Sequence, residues 1–492
     1  MVKKVIIIFI VAAILRFWAI SSLPSSLSMD EIAVGYDSYS ILKTGRDQHG
    51  EFLPLSFKSV GDYKAPVAFY LTVPSLLLFG ENELGVRFPA AFLGTLPAVA
   101  FFFLLSEVSI GKKGAFFGAL WLAINPWHVY LSRTSFDGII ALFFLIFGIY
   151  LFLKAIRSNA HLLVPSALFL SLSVWSYHVE RLFVPLLTVF LLLYFRPKKL
   201  LIPGLVVLFF AIPFVYQAFW SQGIFDRIGD LWVGRDPGTS WINQYLNYFD
   251  FNLWFAKGLN LTPPNYPDSG FLYYIDFPLF LIGAYALFKG LPAGAGKNKF
   301  LKFLTLFWFL AGPLPASLTR GGINPGRILV WLPFFGFVIA SSYDFLFEKL
   351  KNKFVIGVYL IFLIWNVGYF WDMYKYNFPK YYADLWHYGY KEAAQYACAN
   401  RARYEKIIIT DKYGIEWPSV KTIPYLYILF YCKWDPATYL TDKNLYNIEF
   451  RQPQWRIDSK EKNWLLIGSR WDFPASAYEP KPAFYFVETT TR

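Results

Sequence analysis

The sequence predicts a polytopic α-helical membrane protein. Three observations carry that reading. Apolar runs close to the length of a bilayer-crossing helix recur along the chain, which matches a 1.5 Å rise per residue across a core of about 30 Å. Of the 492 residues 56% are hydrophobic and 16% charged, against about 25% charged in a soluble chain. The cations sit mostly in short loops on one side of the predicted spans, as the positive-inside rule requires. The net charge of +13 is therefore a topology signal, and no nucleic-acid partner is expected.

Taken in order, the first span covers about residues 5–23. Lys3-Lys4 before an apolar run resembles a signal peptide. Arg16 interrupts that run, however, and no small-residue cleavage site follows, so it reads as a retained span. A lone charge inside a span costs about 2.5–3.5 kcal/mol on insertion scales. Arg16 is thus expected to face the protein interior or to reach the outer boundary. The first outer loop, residues 24–84, holds a helical stripe of Ile32, Tyr36, Tyr39 and Leu42. It suggests an amphipathic helix lying on the membrane surface. Within the same loop Val67–Phe79 is apolar but short for a span.

Charge decides how that segment is read. If it stays at the surface, the later spans fall near residues 86–105, 115–130, 136–153, 162–177, 182–195, 200–219, 271–288, 301–318, 328–346 and 354–371. Lys112-Lys113, Lys154 with Arg157, Arg196 with Lys198-Lys199, Lys289 with Lys297 and Lys299, and Lys349 with Lys351 and Lys353 then share the side of Lys3-Lys4. If it spans, every cluster flips. The expectation is about eleven spans in a plasma membrane, with the N-terminus cytoplasmic.

Residues 1–371 form the expected membrane domain. Hydropathy falls after Trp371, and residues 372–492 read as a small α/β domain outside the cell. A helical pattern at 391–403 is followed by strand patterns at 406–410, 464–468 and 483–487. The two cysteines, Cys398 and Cys432, lie in this domain. A disulfide and a pair of buried thiols are the alternatives. No Cys/His spacing suggests zinc.

Chemistry is expected at the outer boundary, where polar groups gather. Asp30 and Glu31 have two readings. Ser28-Met29-Asp30-Glu31 has the spacing of a capping box, with Ser28 and Glu31 as the reciprocal pair. A carboxylate here also suits a general base for an acceptor hydroxyl, and Asp30 is spare to the box. Lys64, Arg133, Arg181, Arg320 and Arg327 lie on the side where positive charge is depleted. They either anchor at the interface or hold an anionic phosphate. Asp62, Asp137 and His178 complete the polar set; for His178 a structural role and a substrate contact both stand. A divalent cation on Asp30, Glu31 or Asp137 and no cofactor at all are the alternatives. No Walker loop or Rossmann fingerprint is present, so an activated group reaching this side must cross on a carrier, most simply a lipid phosphate.

Several stretches then point to a family. They are Asp30-Glu31 in the first outer loop, Asp62-Tyr63-Lys64-Ala65-Pro66 before Tyr70, and the span opening at Arg87-Phe88-Pro89. Asn125-Pro126-Trp127 through Arg133 and Asp137, and Trp175 through Arg181 before Val184-Pro185, complete the pattern. Over roughly residues 1–345 it resembles the GT-C glycosyltransferases, closest to the protein mannosyltransferase and lipid A aminoarabinose transferase group (glycosyltransferase family 39-like). The resemblance implies a GT-C fold and transfer of a sugar from a polyprenyl-phosphate donor on the outer face. It also implies a catalytic role for the first-loop aspartate, which matches Asp30. Where relatives often carry Lys-Pro-Pro, this chain has Lys64-Ala65-Pro66. The acceptor, whether lipid, glycan or protein, is left open. A lipid-linked-sugar transporter or flippase is the alternative, kept by Pro97, Pro213 and Pro313 within spans and disfavoured by acids placed at a boundary and not at midplane.

Overall fold

A computed structural model describes residues 1–59, 62–220, 240–262, 267–289, 299–349, 353–383, 386–412, 422–469, 471–474 and 485–489. Gly61, much of the 220–270 loop, Lys297, Lys351 and the start of the last expected strand lie outside these residues.

Every apolar stretch expected to span contains helix, although residues 18–23 and 271–275 at the ends of two of them are not helical. The helices are Val2–Phe17, Glu83–Glu107, Lys112–Ile124 continued by Pro126–Ser132, Asp137–Arg157, Leu163–Ser176, Glu180–Phe195, Leu201–Trp220, Asp276–Lys289, Lys299–Ala311, Leu332–Lys349 and Lys353–Asp372. Among the described residues five segments, 83–107, 137–157, 299–317, 329–349 and 354–382, are long and apolar enough to cross a membrane. The break at Asn125 has a local cause. Its side chain accepts from His128 N at 3.0 Å and Pro126 takes the first helical position, an N-cap that starts a new helix where the old one stops.

The described residues form two compact units. The first comprises residues 1–18, 62–68 and 89–377. Its helices approach through small residues, as helices in lipid do. A Cβ on Gly118 would stand 2.5 Å from that of Ala340, and one on Gly283 would stand 2.0 Å from the Val338 carbonyl oxygen. Arg16 faces this interior. It is fully buried and donates to the carbonyls of Ala12 and Ala123, each at 2.9 Å, and to His128 Nδ1 at 2.6 Å.

The second unit comprises residues 19–61, 69–88 and 378–492. It is drawn by contacts, whereas the expected boundary at 371/372 is drawn by hydropathy. Its sheet has strands β1 (Lys406–Ile409), β2 (Ile448–Phe450), β3 (Trp464–Gly468) and β4 (Tyr485–Glu488), in the order β2-β1-β3-β4. Strand β1 runs parallel to both neighbours, with Ile407 level with Ile448 and Leu465, and β4 closes the far edge antiparallel to β3. Ile407, Ile408, Leu465 and Leu466 are all buried, because a strand covered on both faces needs apolar residues on both. Cys398, on helix Tyr390–Asn400, is disulfide-bonded to Cys432 across a Cα separation of 6.3 Å.

Helix Met29–Thr44 forms where its stripe predicts, but it does not lie with one face open. It is buried continuously from Glu31 to Ile41. Tyr36 packs edge-on to Tyr439 at 6.1 Å, and a Cβ on Gly35 would stand 3.0 Å from both Phe430 and Val86. The polar flank of the stripe is covered as well. Asp37 is fully buried and accepts from Gln48 N at 2.9 Å and Gln48 Nε2 at 3.1 Å, while Tyr425 and Lys443 donate to Gln48 at 3.0 and 2.6 Å.

Burial pushes the Asp37 carboxyl up to about 8, with the Gln48 backbone N–H pulling the other way. A raised carboxyl pKa means that the folded state holds a proton the unfolded chain has released. The stability this contributes is complete below the ordinary carboxylate value and is lost as pH rises through about 8. Thermal unfolding in detergent across that window is expected to show a falling midpoint for the wild type. Asp37→Asn, which has no proton to lose, is expected to show a flatter profile.

Candidate active site

Both halves of the expected capping box are present. Ser28 Oγ accepts from Glu31 N at 3.3 Å, and Ser28 N donates to Glu31 Oε2 at 2.9 Å. Glu31 has a second task. Arg87 Nε donates to Glu31 Oε1 at 2.8 Å and Nη2 to Oε2 at 3.2 Å. The remaining Arg87 donors reach the carbonyls of Ile20, Pro24 and Ser26 at 3.0, 2.9 and 2.5 Å. Arg87 is 0% exposed and Glu31 2%, so the pair is a buried, planar, two-point contact of the kind a guanidinium makes best. One arginine thereby shapes the loop that leads into the helix and fixes its first turn.

Asp30 is different. It is exposed, one residue before its buried neighbour. His387 lies within electrostatic reach of it, in a backbone conformation with φ of 54° and with 4% of its surface exposed. Burial pushes the imidazole down to about 4, against the pull of the Asp30 carboxylate, so His387 is neutral near pH 7. The loop before Asp30 is tied by Tyr427, whose hydroxyl donates to Leu27 O at 2.8 Å, and by Ser26 Oγ, 3.5 Å from the His387 carbonyl. An exposed carboxylate on a rigid, buried first turn, beside a neutral imidazole, can accept a proton from a hydroxyl brought to it.

The first unit holds the other expected residues and uses them in several ways. Arg133, expected to meet an anionic ligand, is fully buried and donates to the carbonyls of Leu15, Arg16 and Trp18 at 2.8, 3.1 and 2.7 Å. It closes the C-terminus of helix Val2–Phe17, where cations suit the dipole, and its guanidinium lies over the rings of Trp371 and Tyr374. Asp137 opens its helix from the first turn. Phe136, just before it, packs against Tyr177 at 5.2 Å, and Tyr177 against His178 at 4.2 Å. A Cβ on Gly326 would stand 2.7 Å from Phe136, and Trp127 Nε1 donates to Pro325 O at 2.9 Å. The loops carrying Asp137, His178 and Arg327 therefore meet around one phenylalanine ring. Arg181 lies over Phe214 at 5.2 Å.

Arg327 ties its own loop, donating to Thr319 Oγ1 at 3.1 Å and Arg320 O at 2.6 Å across Gly321 and Gly322, whose φ angles of 91° and 72° favour glycine. Arg320 is exposed. Lys64 Nζ stands 3.9 Å from Asp62 Oδ2, both partly buried. Among the described residues no three His, Cys, Asp or Glu side chains gather to hold a metal. Glu31 offers little to a cation while Arg87 and Ser28 N occupy its oxygens. Sequence reasoning passed over Arg87 as a site residue, though an arginine at the start of an apolar span is itself a signal. Nothing in the sequence pointed to His387.

Residues 63–220 match the family model for dolichyl-phosphate-mannose-protein mannosyltransferase. ArnT from Cupriavidus metallidurans bound to undecaprenyl phosphate superposes over 99% of this chain and 98% of its own, with a TM-score of 0.53 at 14% identity. The chain shares the fold of ArnT, the GT-C fold. Other GT-C structures agree: the Archaeoglobus fulgidus oligosaccharyltransferase tethered with an acceptor peptide gives a TM-score of 0.51 at 12% identity, over 87% of this chain and 62% of its own. In sequence, YkcB of Bacillus subtilis, named as a proposed mannosyltransferase, is 30% identical over 106 residues; that match takes in 22% of this chain and 15% of YkcB. Within the GT-C fold the matched 63–220 segment carries Lys64, Arg87, Arg133, Asp137, His178 and Arg181, while Asp30 and Glu31 precede it.

Proposed function

We propose that this chain is an integral-membrane glycosyltransferase, moving a sugar from a polyprenyl-phosphate donor to an acceptor hydroxyl with Asp30 as general base. The observation that carries the reading is the division of labour in the first turn of helix Met29–Thr44. Ser28 and Glu31 supply the cap and Glu31 the ion pair, whereas Asp30 belongs to neither and its side chain is exposed. The GT-C fold supports it, as does the undecaprenyl phosphate held by ArnT.

In the proposed reaction Asp30 takes the acceptor proton as the acceptor oxygen attacks the anomeric carbon. The bond from that carbon to the phosphate oxygen breaks on the opposite face, inverting the centre, and polyprenyl phosphate departs with the electron pair. Lys64 and the exposed Arg320 are assigned to the developing phosphate charge, where fixed cations act most strongly; Arg327 holds the Arg320 loop in shape. Glu31 is a positioning residue. The sugar is a hexose or pentose, and the acceptor a lipid, glycan or protein. Mass spectrometry of envelope glycolipids and glycoproteins is expected to lose a sugar-bearing species when the protein is removed. An unchanged profile, together with no sugar transfer by the purified protein from any polyprenyl-phosphate donor, would overturn the reading.

The same proposal places residues 372–492 outside the cell beneath about eleven spans. Loop charge supports this, and so does an independent argument. The second unit groups residues 19–61 and 69–88 with residues 378–492, which supports their lying on one side with an even number of crossings between them. Leaving Val67–Phe79 uncrossed satisfies that parity. Cysteine labelling of intact cells is expected to reach residue 400 and not residue 112; labelling of residue 112 from outside would reverse the scheme.

A further inference from the structure

Two apolar cavities of about 580 and 490 Å³ flank one helix pair, Leu163–Ser176 and Leu201–Trp220. Leu168, Leu205 and Phe209 line the larger; Leu170, Leu192, Gly204 and Val207 line the smaller. They lie along different faces of helix Leu201–Trp220, side by side. Along that helix they run from Leu200 to Phe210, a depth of about 15 Å at 1.5 Å per residue. That is half of a hydrocarbon core about 30 Å thick, the thickness of a single leaflet.

Both grooves begin beside the turn that carries Arg196, Lys198 and Lys199. All three side chains are exposed, and among the described residues none makes a hydrogen bond or ion pair. The nearby Lys154 and Arg157 are engaged instead, with Tyr150 at 2.9 Å and Glu107 at 3.6 Å. Three uncommitted cations thus stand at the mouth of two apolar grooves that together reach the depth of a leaflet.

We infer that this is a binding site for one anionic diacyl phospholipid of the leaflet that faces the basic loops. Its phosphate sits on Arg196, Lys198 and Lys199, and its two acyl chains fill the two grooves. A polyprenyl phosphate fits less well, since it has a single long chain for two short grooves. Basic clusters between or beside spanning helices select anionic headgroups in this way. Gly204 provides the test. A Cβ there meets nothing within 4 Å, so a larger side chain enters the smaller groove without displacing the fold.

The experiment is native mass spectrometry of the purified full chain titrated with phosphatidylglycerol, phosphatidylcholine and undecaprenyl phosphate. The wild type is expected to retain one phosphatidylglycerol at least about tenfold more tightly than phosphatidylcholine. Arg196→Gln/Lys198→Gln/Lys199→Gln is expected to erase that preference. Gly204→Phe is expected to weaken both phospholipids, with Gly204→Leu as the milder variant if the first does not fold. Equal retention of the two phospholipids by the wild type would overturn the inference, as would an undiminished preference in the triple variant. Displacement of phosphatidylglycerol by an equimolar amount of undecaprenyl phosphate would also overturn it, and would assign the grooves to the donor.

Discussion

Asp30→Asn is expected to lower sugar transfer by about 10²–10⁴-fold, the usual loss when a general base is removed, with the fold intact. The substitution keeps the shape and removes the proton-accepting charge. The structure makes it a clean test, because Asp30 is exposed and the cap belongs to Ser28 and Glu31. Ser28→Ala is the matched control. Loss of an N-cap costs about 0.5–2 kcal/mol, which lowers the yield of folded protein and leaves turnover per folded molecule near wild type. Both variants are assayed by transfer from a polyprenyl-phosphate donor, normalised to monodisperse protein. Transfer by folded Asp30→Asn at close to the wild-type rate would remove Asp30 from the mechanism. His387, neutral near pH 7, is not expected to place a limb on the pH profile in the range where an ordinary histidine titrates.

The second large effect is on stability. Arg87→Met strands the Glu31 carboxylate, 2% exposed, without its partner and leaves three loop carbonyls without their donor. Breaking a buried pair from one side costs about 3–5 kcal/mol, enough to unfold many domains. Glu31→Gln alone is expected to cost less, since the amide oxygen still accepts from Arg87. Arg87→Met combined with Glu31→Gln is expected to recover part of the loss, because no unpaired charge then remains. Melting of the four proteins in detergent forms a double-mutant cycle. Arg87→Met melting with the wild type, or no coupling between the two sites, would show that the pair does not hold this loop.

The membrane helices were legible because their signal is local and repeated: apolar runs of bilayer length, broken where Asn125-Pro126 starts a new cap. The capping box was legible for the same reason, since its two members lie three positions apart. Asp30 could be singled out because it was spare to that box. Reading failed where partners are distant in the chain. The stripe on helix Met29–Thr44 suggested an open polar face; residues beyond 424 cover that face, and no window of sequence contains both. The partners of Arg133 were hidden for a related reason. Its position at a boundary suggested an anion, whereas the carbonyls it binds belong to the first helix. His387 gave no sign, because its place beside Asp30 depends on pairings made hundreds of residues apart.

Those pairings also set a schedule for synthesis. The Tyr427 bond to Leu27 joins residues 400 apart in the chain, and the Lys443 bond to Gln48 joins residues 395 apart. At about 5–20 residues per second, the ribosome needs about 20–80 seconds after making the Asp30 segment to produce its partners. For that interval the segment has its early neighbours, such as Val86 and Gln48, but lacks the cover that Tyr439 and Phe430 supply. A chain whose translation stops early keeps its capping box and its Arg87–Glu31 pair but lacks the bonds from Tyr427 and Lys443. The packing around helix Met29–Thr44 is therefore completed only after residues 427–443 have left the ribosome.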